Sequence, residues 1–588
     1  MEARTLITTS DENTWDKEGP IVFLGEWCKR FSRKSEWEKL DSITLPYHWD
    51  DGSKFKDDYH YLDKIYEEML IDFSNHLNNF HNVNHTTRYW RILIGPWLGV
   101  FIQVLYDRWV MLNNASKNYE IKECIILEKN FETLVPKNVQ EFSSMVSGDY
   151  WNEAIYAQLI DRCFSQTILT KKVKIENQKS NKKLNNYRLN KSKIIRITKA
   201  LFETILPSKN DKFFLKDTYL PLVHEIKLQI KLKQIPKIWS TINLNFTKKI
   251  NIKSRQWNKK SNLDEFSKLA YQMAILHIPT SYLENYKDLV DSVPTSWPKK
   301  PKIIFTSVSW FLDEVFKLWS AKKCEDGSLL FIGQHGGHFG MTDISFLEKH
   351  QIDISDKWVS WGWSEPGEPK IIQGFNFKEK NLEIKPNYKG LGLLATTTHP
   401  RYSGRMIRAT VAGQWKVYLQ ENQDFFGLLS SDIQNKMLIR TTHNAYGWDE
   451  NDAWKDFSPS INFGNYALKI HEEMKSCRVL ISTYNATTYL ESLFYNFPTI
   501  IFWNEEHWDL KTEVKEYFDL LESVGIFHKS PSSAAKKLEE VWDNIPEWWD
   551  SKDVQNARNI FCKNFSHKVS RPVEHFQVIL KNETISLR

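Results

Sequence analysis

Short apolar runs alternate with helical stretches through the second half of this chain. Lys302–Ser307, Leu329–Gly333, Trp358–Gly362 and Ile371–Gly374 read as strands, and Phe311–Ser320 reads as a helix between the first two. After a loop at Phe377–Lys389 the rhythm restarts with Leu391–Thr396, Met437–Thr442, Arg478–Ser482 and Thr499–Trp503. Short continuous apolar runs separated by helices predict parallel strands covered on both faces. The fold class is therefore α/β, and the 377–389 loop is a natural link between two sheets. In the first half, residues 4–10 and 20–25 read as short buried strands. Leu62, Ile65, Tyr66, Met69 and Leu70 then recur at helical spacing, and Trp90–Leu105 forms a second apolar stretch. Near the end, Ser532–Phe565 is helical and carries Trp542, Trp548 and Trp549, which are expected to pack on the body. Three parts follow: residues 1–380, an α/β domain with helical and basic insertions; 386–545, a second α/β domain; and 546–588, a helical tail packing back.

Composition narrows the class. A chain of 588 residues exceeds one core, and 41% apolar with 14% aromatic residues favours a folded protein. The formal charge of +6 permits an anionic substrate or a membrane surface but does not indicate nucleic acid. The six cysteines form no C-x-x-C pair or metal spacing and read as reduced thiols of a cytoplasmic protein. The first residues carry no secretory signal, and no apolar run is long enough to span a bilayer. Membrane contact is thus expected only at the periphery. Two basic stretches, Lys171–Lys199 and Lys248–Lys260, read either as solvated insertions or as patches resting on anionic lipid. There is no G-x-x-x-x-G-K-[ST], H-E-x-x-H or G-x-S-x-G.

The chemistry gathers at predicted strand ends. Arg478–Ile481 runs into Ser482-Thr483-Tyr484-Asn485-Ala486-Thr487-Thr488, and a helical pattern starts at once. A strand that opens a helix through a polar turn suits a phosphate, and Glu491, four residues after Thr487, shares its helix face. A carboxylate there can hold ribose hydroxyls. The plain alternative is an N-cap cluster followed by a surface Glu. Gln334-His335-Gly336-Gly337-His338 also ends a strand, where His335 can act as acid or base and the glycines allow close backbone approach. Arg440–Asn444 places His443 at a third strand end, and His399-Pro400, with Arg401 and Arg405 behind it, ends a fourth. In the N-terminal half, Glu26, His48, Asp50 and Asp51 sit beside aromatic residues, and any of them could activate an acceptor hydroxyl. Arg88 and Arg91 read as paired charges of a packed core.

Asn485–Glu491 resembles the N-S-T-x-x-L-E segment of capsule-polysaccharide Kdo transferases, Gln334-His335-Gly336 resembles their Q-H-G turn, and Thr442-His443 stands where they carry K-P-H-P. More broadly, nearly the whole chain resembles a family of bacterial transferases of surface-carbohydrate (lipopolysaccharide or O-antigen) biosynthesis. The matching segments are Leu6–Thr9, Phe23–Cys28, Tyr47–Asp51, Arg88–Trp97 and Ser482–Glu491. The resemblance implies a GT-B-like architecture, two Rossmann-type domains facing across a cleft, with donor on the C-terminal domain and acceptor on the N-terminal one. It implies that His443, Ser482, Thr483, Asn485, Thr487, Thr488, Glu491, Gln334 and Gly336 bind the donor. It also implies that His335 sits across the cleft near the leaving group. Two departures, the missing prolines around His443 and Ala486 in place of Ser, leave the donor nucleotide open, a CMP-sugar included.

The expected activity is transfer of a sugar from a nucleotide-activated donor to a glycan or glycolipid acceptor, with no cofactor and no metal required. His335, Glu26, Asp50 and Asp51 are the expected catalytic set. A nucleotide-sugar epimerase on the same fold and a non-catalytic membrane-surface scaffold are the alternatives.

Overall fold

The computed structural model describes residues 2–174, 211–246, 249–257, 263–378, 382–442 and 446–585. The 171–199 stretch beyond Lys174, parts of 248–260, and His443 lie outside the described residues.

Among the described residues, sixteen strands form three parallel sheets. The first contains β1 (Arg4–Ile7), β2 (Ile21–Phe23), β3 (Ser42–Thr44), β4 (Ile121–Leu127) and β5 (Thr170–Val173), in the order β3-β2-β1-β4-β5. The second contains β6 (Phe213–Lys216), β7 (Ile303–Thr306), β8 (Leu329–Gly333), β9 (Lys357–Val359) and β10 (Ile371–Ile372), in the order β10-β9-β8-β7-β6. The third contains β11 (Leu391–Ala395), β12 (Met437–Arg440), β13 (Asn462–Phe463), β14 (Cys477–Ser482), β15 (Thr499–Phe502) and β16 (Phe527–His528), in the order β13-β12-β11-β14-β15-β16. Every residue of β7, β14 and β15 is buried, because helices cover both faces of a parallel sheet. The first 380 residues therefore hold two sheets where the apolar runs predicted one. The edge strand β5, Thr-Lys-Lys-Val, is short, charged and mostly exposed, so it carries no apolar signal.

Two long helices stand between the first and second sheets. Gly52–His81 is amphipathic and starts on an Asp51 cap. Thr87–Asn118 is buried almost all round, which fits a sequence that is apolar on every face between Ile92 and Ile102. Gly99 within it lets the helix Phe346–Ile354 come close, since a Cβ there would lie 1.9 Å from the Phe346 ring. Arg88 and Arg91 are ion-paired, with Asp356 (2.8 Å) and Glu67 (2.5 Å). Among the described residues, no helix is long and apolar enough to cross a membrane.

The second and third sheets are the two Rossmann-type layers that face each other. The loop after β8 and the turn after β14 meet carboxyl end to carboxyl end: the Gly337 N–H donates to Thr487 Oγ1 at 3.2 Å. The helix Pro572–Ile585 crosses back from the third sheet to the second. There Gln577 Nε2 donates to the Lys231 carbonyl (2.8 Å), and Phe576 packs on Phe305 and Phe377 at 4.8 and 5.8 Å.

Candidate active-site cleft

In the third sheet the chain leaves β11 toward β12 and β13 on one side, then returns to lay β14, β15 and β16 on the other. Such a reversal opens a crevice at the carboxyl ends of the central strands. A cavity of about 570 Å³ occupies it. Its wall includes Thr396 after β11, Thr441 and Thr442 after β12, and Tyr484, Thr487, Thr488 and Glu491 after β14, with Lys378 arriving from the interdomain segment.

The polar turn after β14 does not cap its helix. Thr487–Phe494 begins at Ala486 with no side-chain cap bond. Its first-turn N–H groups thus lack the oxygen that Ser, Thr or Asn supplies elsewhere. The turn's side chains are spent sideways. Asn485 Oδ1 accepts from Tyr489 Oη (2.9 Å), and Thr483 Oγ1 meets Tyr418 Oη (2.5 Å). Ser482 Oγ is buried and has no partner among the described residues. Glu491 is only 8% exposed and is ion-paired with Lys378, so it is no surface residue.

Across the cleft, Gln334 shapes the loop that carries His335. Its Oε1 accepts from the Trp361 N–H (2.8 Å) and Trp363 Nε1 (2.9 Å), and its Nε2 donates to the Gly336 carbonyl (2.8 Å). Gln334 and Gly336 therefore hold the loop. Gly337 does the docking: a Cβ there would lie 2.4 Å from the Ala486 carbonyl carbon and 2.6 Å from Thr487 N. His335 packs between Phe339 (4.8 Å), Trp310 and Tyr219 (both 6.2 Å), and its Nδ1 has no partner. Burial first, then the charges of Arg405 and Lys378, push its pKa down to about 3. The imidazole is neutral at physiological pH and able to accept a proton. The same causes bring His338 to about 3, and burial and Arg405 bring His399 to about 4.

A second cavity, of about 690 Å³, opens where the three sheets' surroundings meet. His399, Tyr402 and Arg405 line it from the loop after β11, Ser143, Ser144 and Ser147 from the helix Val139–Val146 and its end, and Phe311 from the short helix Ser309–Leu312 that follows β7. Two stacked indoles hold that loop from behind (4.9 Å between rings). Trp415 Nε1 donates to the Thr397 carbonyl (3.2 Å) and Trp448 Nε1 to that of His399 (3.0 Å). Glu450 lies beneath, accepting from Thr396 Oγ1 and Thr398 Oγ1, each at 2.7 Å. Burial pushes its carboxyl up to about 7.

The N-terminal acidic residues lie elsewhere and line neither cavity. Glu26 is ion-paired with Lys416 and with Lys29 (2.9 Å). Burial works to raise its pKa, but the lysine charges outweigh burial and hold the carboxyl below its usual range. Asp51 caps its helix through the Ser53 and Lys54 N–H groups (2.8 and 3.2 Å). Asp50 is exposed and accepts from Gln414 Nε2 at 3.1 Å. His48 is buried against Asp107, 3.0 Å away. The structure thus brings together Gly337, Thr487, Thr488, Glu491 and Lys378, keeps His335 buried two residues before Gly337 and outside both cavity walls, and leaves Glu26, His48, Asp50 and Asp51 in structural contacts. Lys378 and Glu450 are missing from the sequence reading of the site.

No curated protein matches this sequence. Among solved structures, the wall teichoic acid polymerase TagF is similar at 11% identity over 68% of this chain and 96% of its own, with a TM-score of 0.30. MurG of Acinetobacter baumannii is similar at 9% identity over 63% of this chain and 99% of its own, with a TM-score of 0.28. The family described as LIC12162 family transferase matches residues 4–580, nearly the whole length. This chain belongs to the LIC12162 family of transferases.

Proposed function

We propose that this transferase moves a glycosyl group from a nucleotide-activated donor, a CMP-sugar among the options, to a hydroxyl of a surface-polysaccharide or lipopolysaccharide precursor. The reaction would run at the cytoplasmic face of the membrane. The 386–545 part would bind the donor nucleotide in the 570 Å³ cavity, and the acceptor would enter the 690 Å³ cavity. The observation that carries this reading is the Gly337–Thr487 contact, in which the loop after β8 sits on an uncapped helix start at a sheet's reversal point.

Each residue then has a task. Glu491 accepts from ribose hydroxyls, and Lys378, released from it, follows the donor phosphate. The first-turn N–H groups of Thr487–Phe494 and the hydroxyls of Thr487 and Thr488 stabilise the charge that grows on the departing phosphate. His335 takes the acceptor proton through its free nitrogen. A second cavity beside the first favours transfer to a separate acceptor over isomerisation of the donor alone.

A thermal-shift panel of CMP-, UDP-, GDP- and dTDP-sugars tests the proposal. One donor class should raise the melting temperature, as a ligand of the folded state does. Glu491→Ala should lose that shift, and His335→Ala should keep it while losing transfer. A parent protein that no nucleotide stabilises would sink the reading.

A further inference from the structure

Four arginines, Arg108, Arg401, Arg405 and Arg408, surround the loop after β11; the first two are fully paired, and Arg408 donates to the Glu506 carbonyl (2.7 Å). Arg401 reaches Asp149 (2.5 Å), the Trp27 carbonyl and the Tyr446 carbonyl (3.3 Å). Arg108 reaches Asp107 (2.5 Å), Asn152 (2.9 Å) and the Ser403 carbonyl (2.7 Å). Arg405 has no such partner among the described residues, and it stands half-buried in the wall of the 690 Å³ cavity. Desolvating a guanidinium without a counter-charge is unfavourable, and folds rarely keep one without use. Among the described residues, no carboxylate shares that wall. Beside Arg405 stands His399, whose Nε2 is buried and unbonded. Opposite are the hydroxyls of Ser143, Ser144 and Ser147, now turned onto helix carbonyls at 2.9–3.2 Å and free to rotate to a ligand.

We propose that the acceptor of this transferase is anionic, and that Arg405 grips its phosphate or carboxylate group with His399 and the 143–147 hydroxyls closing around it. This rests on reading the cavity as the acceptor side. A guanidinium presents a fork of donors that matches either oxyanion. The group also links binding to chemistry. Arg405 is one of the charges that keep His335, His338 and His399 weakly basic. An anion on Arg405 cancels that field and makes His335 a stronger proton acceptor once the acceptor is seated.

The test uses the full chain with inorganic phosphate and with glucuronate as separate probes, at fixed ionic strength, and with CMP as the nucleotide probe. At least one anion should raise the parent's melting temperature and bind on top of CMP; whichever does so names the acceptor's group. Arg405→Met should weaken that anion at least tenfold and leave CMP binding within threefold. Arg405→Lys, which keeps the charge but not the fork, should bind the anion several-fold more weakly, and it serves if the Met variant does not fold. Anion binding unchanged in both variants would overturn the proposal. So would a Met variant that loses CMP together with the anion, which would make Arg405 a donor ligand. If CMP and every other nucleotide fail on the parent while the anion result holds, the donor assignment falls and the anion site stands.

Discussion

Glu450 offers a quantitative probe of the wall behind the cleft. It is 2% exposed, faces no cation among the described residues, and rests on two threonine hydroxyls. Its carboxyl is pushed from the ordinary 4.5 to about 7. A folded-state pKa above the unfolded one means that the folded protein holds the proton more tightly. The resulting stability is complete below pH 4.5 and is lost as the pH rises through 7. The gap corresponds to roughly 3 kcal/mol between those limits. Glu450→Gln keeps the shape and removes the charge. Rearranging one threonine hydrogen bond costs about 1 kcal/mol, so the variant should gain roughly 2 kcal/mol at pH 8 and be level with or slightly below the parent at pH 5. For a cooperative unit of about 200 residues that gain is a rise of roughly 4–8 °C at pH 8. Urea unfolding followed by tryptophan fluorescence at the two pH values reads it, and comparison at equal pH cancels every other titrating group. Equal destabilisation at pH 5 and pH 8 would refute the reasoning, because the carboxylate would then be charged and welcome in the fold.

Two further outcomes are expected. Gly337→Ala should weaken the winning nucleotide of the panel at least tenfold, since the new methyl meets backbone of Ala486 and Thr487 that has nowhere to go; isothermal titration measures this, and an unchanged affinity would detach the 334–340 loop from the donor site. Acid should destabilise the protein early: His335, His338 and His399 have folded pKa values of about 3 to 4, below the ordinary 6.5, so the unfolded chain takes up protons first. Melting temperature should therefore fall as the pH drops from about 6.5 toward 4, and His399→Gln should flatten the slope; identical slopes would place His399 in water.

The buried strands were legible because parallel pairing hides both faces: β7, β8, β11, β14 and β15 are plain apolar runs. Strands β3 and β5 were not, since short edge strands answer to solvent as much as to the core. The Q-H-G loop and the 482–491 turn were visible as polar residues at apolar strand ends. Glu26, Asp50 and Asp51 drew attention by standing beside tryptophans, yet Asp51 before Gly52 and Ser53 is a readable helix cap. His399 and Arg405 were visible behind a predicted strand, but that this strand, β11, sits at the sheet's reversal point is something only strand order reveals. Lys378 and Glu491 are a pair that a linear reading separates by more than a hundred positions.

The crossover helix Pro572–Ile585 has a consequence for how the chain is made. The second sheet is synthesised between residues 213 and 372, but the side chain that completes the Phe305 and Phe377 cluster, Phe576, leaves the ribosome some two hundred residues later. Until then this lobe waits with bare aromatic rings, the kind of surface that chaperones bind and that aggregates when left alone. A chain stopped before residue 572 would keep all three sheets and still lack the final clasp of its middle one.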